Sequence, residues 1–124
     1  MTVTAYTLAV VLDLFVVFIG ARFLFRPEPS AAGYGVPAKA NGAGDPAYLT
    51  VKGLRDLTFG LVGLALIAFV SAQAEAWFML AVAVAPLGDM LIVLRHGGPK
   101  VVAYGVHFAT AVAVLLSAGL LFAA

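Results

Sequence analysis

The sequence predicts an all-α integral membrane protein, a four-helix bundle with both termini on the non-cytoplasmic side. Of its 124 residues, 64% are hydrophobic and 10% are charged, whereas a soluble domain is about 45–50% apolar and about 25% charged. Four stretches reach the length of about 20 apolar residues that a spanning helix needs. All lysines and arginines lie near those ends of the stretches, or in those connections, that belong to one side of the membrane. The length allows a single domain, residues 1–124.

The first predicted span covers residues 4–25 and is interrupted only by Asp13 and Arg22. Residues 26–46 are rich in Gly, Pro and Ala, which predicts a long loop with a short interfacial segment around Tyr34 and Val36.

The second predicted span covers residues 47–70. Asp45 and Pro46 precede it, and these residue types favour the first positions of a helix. The third span covers residues 76–95, with Trp77 placed for an interfacial aromatic belt. The fourth covers residues 100–122, after the turn Gly97-Gly98-Pro99. Short connections between these three spans predict antiparallel neighbours.

The positive charges indicate the orientation in the membrane. Every Lys and Arg lies at the end of the first span, in the long loop, at the start of the second span or at the turn between the third and fourth: Arg22, Arg26, Lys39, Lys52, Arg55, Arg95 and Lys100. The other side carries only Glu75 and the termini. The positive-inside rule therefore predicts a multi-pass protein of the cell membrane with a cytoplasmic long loop.

Several function classes are excluded or left without support by the sequence. A net charge of +1 with dispersed basic residues argues against a nucleic-acid partner. The absence of cysteine removes thiol catalysis and thiolate metal sites. No phosphate-binding loop, zinc-protease motif or nucleophile elbow is present. We therefore expect no metal and no cofactor.

Four ionisable residues fall inside the predicted spans: Asp13, Asp56, Asp89 and His107. A charged group at the centre of a membrane helix costs roughly 2.5–3.5 kcal/mol, so such residues indicate a functional site by default. Asp89 and His107 are equally far from the turn at Gly98, on the order of 13 Å along their helices. We expect all four to converge in the cytoplasmic half of the bundle, with one group from each helix, as catalytic residues.

Helical spacing adds candidate ligand-binding residues. Tyr48 and Lys52 share a face with Asp56, and Tyr104 and Thr110 share a face with His107. Pro86, one turn before Asp89, has no N–H to donate, so it predicts a kink that frees the carbonyl of residue 82 beside a polar cavity.

Two arginines are candidates to act on the acids. Arg55 could meet Asp89 or Asp13 on another helix, where it would orient a carboxylate or stabilise developing negative charge. Arg22 could bind the ligand or neutralise an acid, or it could extend to the membrane interface. The plainer reading of the same residues is a set of interhelical pairs and interfacial anchors that only fix packing, with Lys52 among the anchors.

The segment from Gly53 to Gly60, the segment Pro86-Leu87-Gly88-Asp89 and His107 resemble a family of small four-span membrane proteins, domain of unknown function four-two-six-seven. The chain is also similar to the broader DoxX-like group. The resemblance covers nearly the whole chain and implies a compact four-helix membrane fold without established catalytic residues. Some members of such families lie among natural-product genes, which favours chemistry on a small lipophilic molecule.

A second resemblance is to the small multidrug resistance transporters, which have four short helices and an acid in the first, matched by Asp13. The long first loop, the further acids and His107 depart from that pattern.

Three functions therefore stay open. The first is an enzyme that performs acid–base chemistry (isomerisation, cyclisation or epoxide opening) on a small lipophilic molecule that enters from the membrane lipid. The second is a proton-coupled small-molecule transporter that works as a homodimer. The third is a membrane scaffold or accessory protein.

Overall fold

The computed structural model describes residues 2–36 and 45–124, and this part of the chain contains helices and no strand. The helices are α1 (Thr2–Phe25), α2 (Pro27–Tyr34), α3 (Asp45–Phe69), α4 (Ala72–Val82), α5 (Val84–Arg95), α6 (Lys100–Val102) and α7 (Ala109–Ala123). A π-helical segment, Ala103–Phe108, joins α6 to α7. The predicted all-α membrane bundle is confirmed.

Three stretches are long and apolar enough to cross a membrane: Thr2–Phe25, Ala72–Arg95 and Lys100–Ala123, each of 24 residues. Helix α3 has 25 residues, about 37 Å at the usual helical rise. Its first half is less apolar because it carries Lys52, Arg55 and Asp56. The count of four spans and their boundaries remain a prediction, in which α3 is the second span.

Helices α1 and α3 are antiparallel neighbours. They pack closely because glycines remove side chains from their interface. A Cβ added at Gly20 would lie 2.6 Å from the carbonyl oxygen of Gly53, and one added at Gly60 would lie 2.6 Å from that of Asp13. Small residues at such positions allow membrane helices to approach each other closely. This packing fixes the height of Asp13 relative to α3.

The third predicted span is interrupted where Pro86 predicts a kink. Helix α4 ends at Val82, Ala83 forms a turn, and α5 begins at Val84. The N–H of Leu87 donates to the carbonyl of Ala83 at 3.3 Å, so the helix resumes directly after the proline. The interruption lies about two turns before Asp89.

The long loop differs from the prediction, because eight of its residues form helix α2. Pro27 starts this helix, where a missing N–H costs nothing, and Gly35 ends it with a φ of 91°. Ser30 and Ala31 are buried against α1 and α3. Residues 37–44 of the predicted loop, with Lys39, lie outside the described residues. Helix α2 therefore covers one end of the bundle.

The two ends of the bundle differ in character. The turn after α5 lies beside the end of α2, since a Cβ added at Gly98 would be 2.7 Å from the carbonyl oxygen of Gly35. At the opposite end, small and aliphatic residues of α1, α4 and α7 form an apolar core that includes Ala5, Ala76 and Leu121. The polar groups described below lie between these two ends.

Candidate functional site

A cavity of about 230 Å³ lies inside the bundle, beneath helix α2. Its walls come from α1, α2, α3, α4, α5, the π-helical segment and α7, and most of them are apolar. Among the predicted site residues, six line it: Asp13, Arg22, Asp56, Asp89, His107 and Thr110. The three acids and the histidine thus meet around one space, and each comes from a different long stretch of the chain.

Tyr34, at the end of α2, is the residue that links these groups. Its hydroxyl donates a hydrogen bond to a carboxylate oxygen of Asp89, and its ring packs edge-on against His107 with centroids 4.2 Å apart. Burial, with the Asp89 carboxylate nearby, raises the pKa of Tyr34 above its ordinary value of 10.0. The phenol therefore stays protonated and keeps its role as a donor.

His107 is 2% exposed and its Nε2 lies 2.8 Å from the backbone carbonyl oxygen of Tyr34. A carbonyl only accepts hydrogen bonds, so Nε2 carries the hydrogen and Nδ1 of the neutral ring keeps a free lone pair. The residue sits in the π-helical segment, whose wider turn is typical of functional sites. The contact with Tyr34 thus places a hydrogen on Nε2.

Asp56 is paired with Lys52 one turn earlier on α3, with the Lys52 Nζ 2.5 Å from a carboxylate oxygen. The same ammonium lies 4.2 Å from the ring centroid of Tyr34 and 4.5 Å from that of Phe23. Lys52 therefore points toward these groups, because the carboxylate and two aromatic faces attract its charge. It stands beside the cavity as a neighbour of Asp56.

Asp13 is buried, at 3% exposure, and it is packed against Gly63 of α3. One of its carboxylate oxygens has no hydrogen-bond partner among the described residues. Its side chain faces Glu75 of α4, which is completely buried. Glu75 was predicted to lie just before the third span, on the non-cytoplasmic side, and the structure buries it inside the bundle.

Three predicted site residues lie elsewhere. Arg55 is exposed on the outer surface of α3, in a shallow depression with Val51 and Leu54, because neighbours in sequence point about 100° apart on a helix. Tyr48 and Tyr104 are 76% and 52% exposed and do not line the cavity. Arg55 therefore cannot orient a carboxylate there in this conformation.

The remaining two candidates, Arg22 and Thr110, line the cavity, but each is limited in what it can contribute to a ligand. Arg22 is largely exposed and reaches the cavity edge only. The hydroxyl of Thr110 donates to the carbonyl of Val106 at 2.6 Å, so its hydrogen is already used. Its lone pairs remain available to a ligand.

Sequence reasoning missed Tyr34, Ser30 and Glu75. Pro27 followed by Glu28 is a helix-start signal that would have indicated α2 and hence an ordered Tyr34. Ser30 is buried in the cavity wall, and its hydroxyl has no partner among the described residues. No signal in the sequence separates Glu75 from an exposed acid, because it follows a polar capping residue, Ser71.

Nothing in the described part of the chain forms a metal centre. No group of three or more His, Asp or Glu side chains there has a geometry that could hold a metal ion. His96 is exposed and its Nδ1 lies near the backbone carbonyl of Ile92. The candidate chemistry of the cavity therefore rests on its acids, its histidine and its tyrosine.

Comparison with known proteins identifies a family for the chain and no described activity. No curated protein and no solved structure matches it. The similarity to the DoxX-like group stays a prediction. A family model described as Domain of unknown function (DUF4267) matches residues 14–121, which include Asp56, Asp89 and His107 and nearly all of the cavity wall. This chain therefore belongs to the DUF4267 family.

Proposed function

We propose that the cavity binds a small lipophilic molecule and performs acid–base chemistry on it, in the class of isomerisation, cyclisation or epoxide opening. The observation that carries the proposal is the meeting of Asp13, Asp56, Asp89 and His107 around one mostly apolar cavity within a single chain. Buried ionisable groups are costly, and three acids and a histidine exceed what the packing of this bundle requires. The apolar walls suit a molecule that arrives from the membrane lipid.

The polar groups divide into distinct roles in this proposal. Nδ1 of His107 is the candidate base, since Nε2 is held by the carbonyl of Tyr34. The Tyr34 hydroxyl is the candidate donor to an oxygen of the ligand, and to act so it would turn its hydrogen from Asp89 to that oxygen. Asp56 is held in an ion pair by Lys52, which balances its charge. The candidate base and the candidate donor thus belong to His107 and Tyr34, whose rings are in contact.

The two alternatives expect different geometry. A dimeric transporter would place Asp13 at an interface between copies, whereas Asp13 is 3% exposed within one copy. A scaffold would pair each Asp with an Arg and leave no cavity, whereas Lys52 with Asp56 is the one ion pair of the described chain. These observations favour the enzyme over both alternatives. By the distribution of Lys and Arg, we infer that α2 and the cavity lie at the cytoplasmic side.

The test is a conversion assay on the total lipid extract of the membranes from which the protein is purified. Wild-type protein in lipid nanodiscs is incubated with the extract, and mass spectrometry follows species that change retention at constant mass or gain one water. We expect conversion that falls by roughly a hundredfold or more in His107→Gln, as for loss of a general base. Glu28→Gln, an exposed acid on α2, is the matched control and should convert normally. Equal product profiles for wild type and His107→Gln would remove the support for catalysis.

A further inference from the structure

A second polar site lies at the inner end of the cavity, where Asp13 faces Glu75. Glu75 is 0% exposed, and neither of its carboxylate oxygens has a hydrogen-bond partner among the described residues. The surrounding core is apolar, with Ala9, Ala76 and Met79 in the same buried cluster. No role in the proposed chemistry accounts for this residue.

The two carboxyl groups need a donor between them. Ionised carboxylates only accept hydrogen bonds, so two of them side by side repel and leave their oxygens unsatisfied. No Lys, Arg or His of the described chain forms an ion pair with either acid. An uncompensated buried charge is strongly unfavourable, and in practice such a group takes up a proton.

The position of each acid indicates which one holds the proton. Asp13 lines the cavity, whereas Glu75 lies behind it. No described residue donates a hydrogen bond to either oxygen of Glu75. Glutamate also has the slightly higher ordinary proton affinity of the two residue types. Glu75 is therefore the donor, and Asp13 is the acceptor that a cavity ligand can reach.

We propose that Asp13 and Glu75 form a proton-binding site at the inner end of the cavity, with a proton that Glu75 holds and shares with Asp13. The site does not depend on what the cavity binds or converts. In it, Glu75 is a positioning residue, since only Asp13 faces the cavity.

Infrared spectroscopy tests the proposal on the wild-type protein in lipid vesicles at neutral pH. The chain contains only two glutamates, Glu28 and Glu75, and Glu28 is exposed. Labelling the glutamate carboxyl carbons with ¹³C should therefore shift a protonated-acid carbonyl band that belongs to Glu75 alone. If the label moves no band in that region, Glu75 is ionised and the proposal is wrong.

Three variants sharpen the assignment. Glu75→Gln should remove the labelled band, Asp13→Asn should shift its frequency because the acceptor has changed, and Glu28→Gln should leave it intact. Glu75→Gln should also keep the melting temperature of the wild type, because a neutral amide resembles the protonated acid. A spectrum of ionised carboxylates that changes when K⁺ replaces Na⁺ would instead indicate a bound metal cation and would overturn the proton site. The wild-type labelling decides the question even if a variant does not fold.

Discussion

At the scale of single residues, Tyr34 joins the covering helix to the acids beneath it. Its hydroxyl donates a hydrogen bond to Asp89, and its backbone carbonyl accepts one from His107. The Lys52 ammonium lies over the face of its ring. One side chain thus contacts three charged or titratable groups from three other segments. The stability of the α2 position and the geometry of the cavity therefore depend on the same residue.

Tyr34→Phe should lower the free energy of unfolding by about 1.5–3 kcal/mol, because it removes a hydrogen bond to a charged group and leaves Asp89 without its donor. Because the pKa of Tyr34 is raised in the folded state, its contribution is fully present below pH 10 and declines as the pH rises further. Unfolding of the protein in detergent micelles, followed across this pH range, measures both effects. Tyr104→Phe, at an exposed tyrosine, is the matched control and should change neither. Equal stabilities for the two variants would mean that the Tyr34–Asp89 bond contributes nothing.

At the scale of elements, the pair of α1 and α3 sets the position of two of the three acids. Glycines at three points of this interface let the two backbones touch, so Asp13 and Asp56 are held without help from other helices. Gly63 makes room for the Asp13 carboxyl itself. Asp89 of α5 and His107 of the π-helical segment line the same cavity.

Gly60→Ala should destabilise the fold by about 1–3 kcal/mol, because the added Cβ would meet the backbone of Asp13 and force the two helices apart. Gly119→Ala is the control within the same bundle, since no atom lies within 4 Å of its added Cβ. That change should be neutral or stabilising by up to about 1 kcal/mol, as for glycine replaced by alanine in a helix. Thermal unfolding of both variants checks the pair, and a tolerated Gly60→Ala would show that the helices are not in close contact.

At the scale of the whole molecule, the surface is apolar and the interior holds the polar groups. Many large hydrophobic side chains are exposed, among them Phe18, Phe69 and Leu116, while Asp13, Glu75 and His107 are buried. This distribution is the reverse of a soluble protein and suits a lipid environment. Among the described residues, the lysines and arginines lie toward the end that α2 covers.

Cysteine labelling tests the proposed orientation, since the chain has no cysteine of its own. Gln73→Cys and His96→Cys place single thiols at exposed positions near opposite ends of the third predicted span. In intact cells a membrane-impermeant maleimide should label Gln73→Cys alone, and permeabilisation should expose His96→Cys. The opposite pattern would place the cavity at the outer side. Labelling of both positions in intact cells would contradict a span between them.

The sequence by itself determined the membrane character, the helical class and the identity of the main polar residues. Composition and apolar length decide these features, since lipid requires internally bonded helices and penalises each buried charge. Asp13, Asp89 and His107 were identifiable because each lies alone in an apolar stretch, and Asp56 because it falls inside the second predicted span. The family relation also followed from short local patterns, and the matching family model confirms it.

Only the tertiary structure decided which side chains turn inward and what they meet. Arg55 and Asp56 are adjacent in sequence, yet helix rotation exposes one and directs the other into the cavity. Tyr34 and Asp89 are 55 residues apart, so no local pattern could pair them. Glu75 follows a polar turn and is buried because α1 and α7 close around it. The physical reason is that the cost of burying a group depends on neighbours that the chain brings together only when it folds.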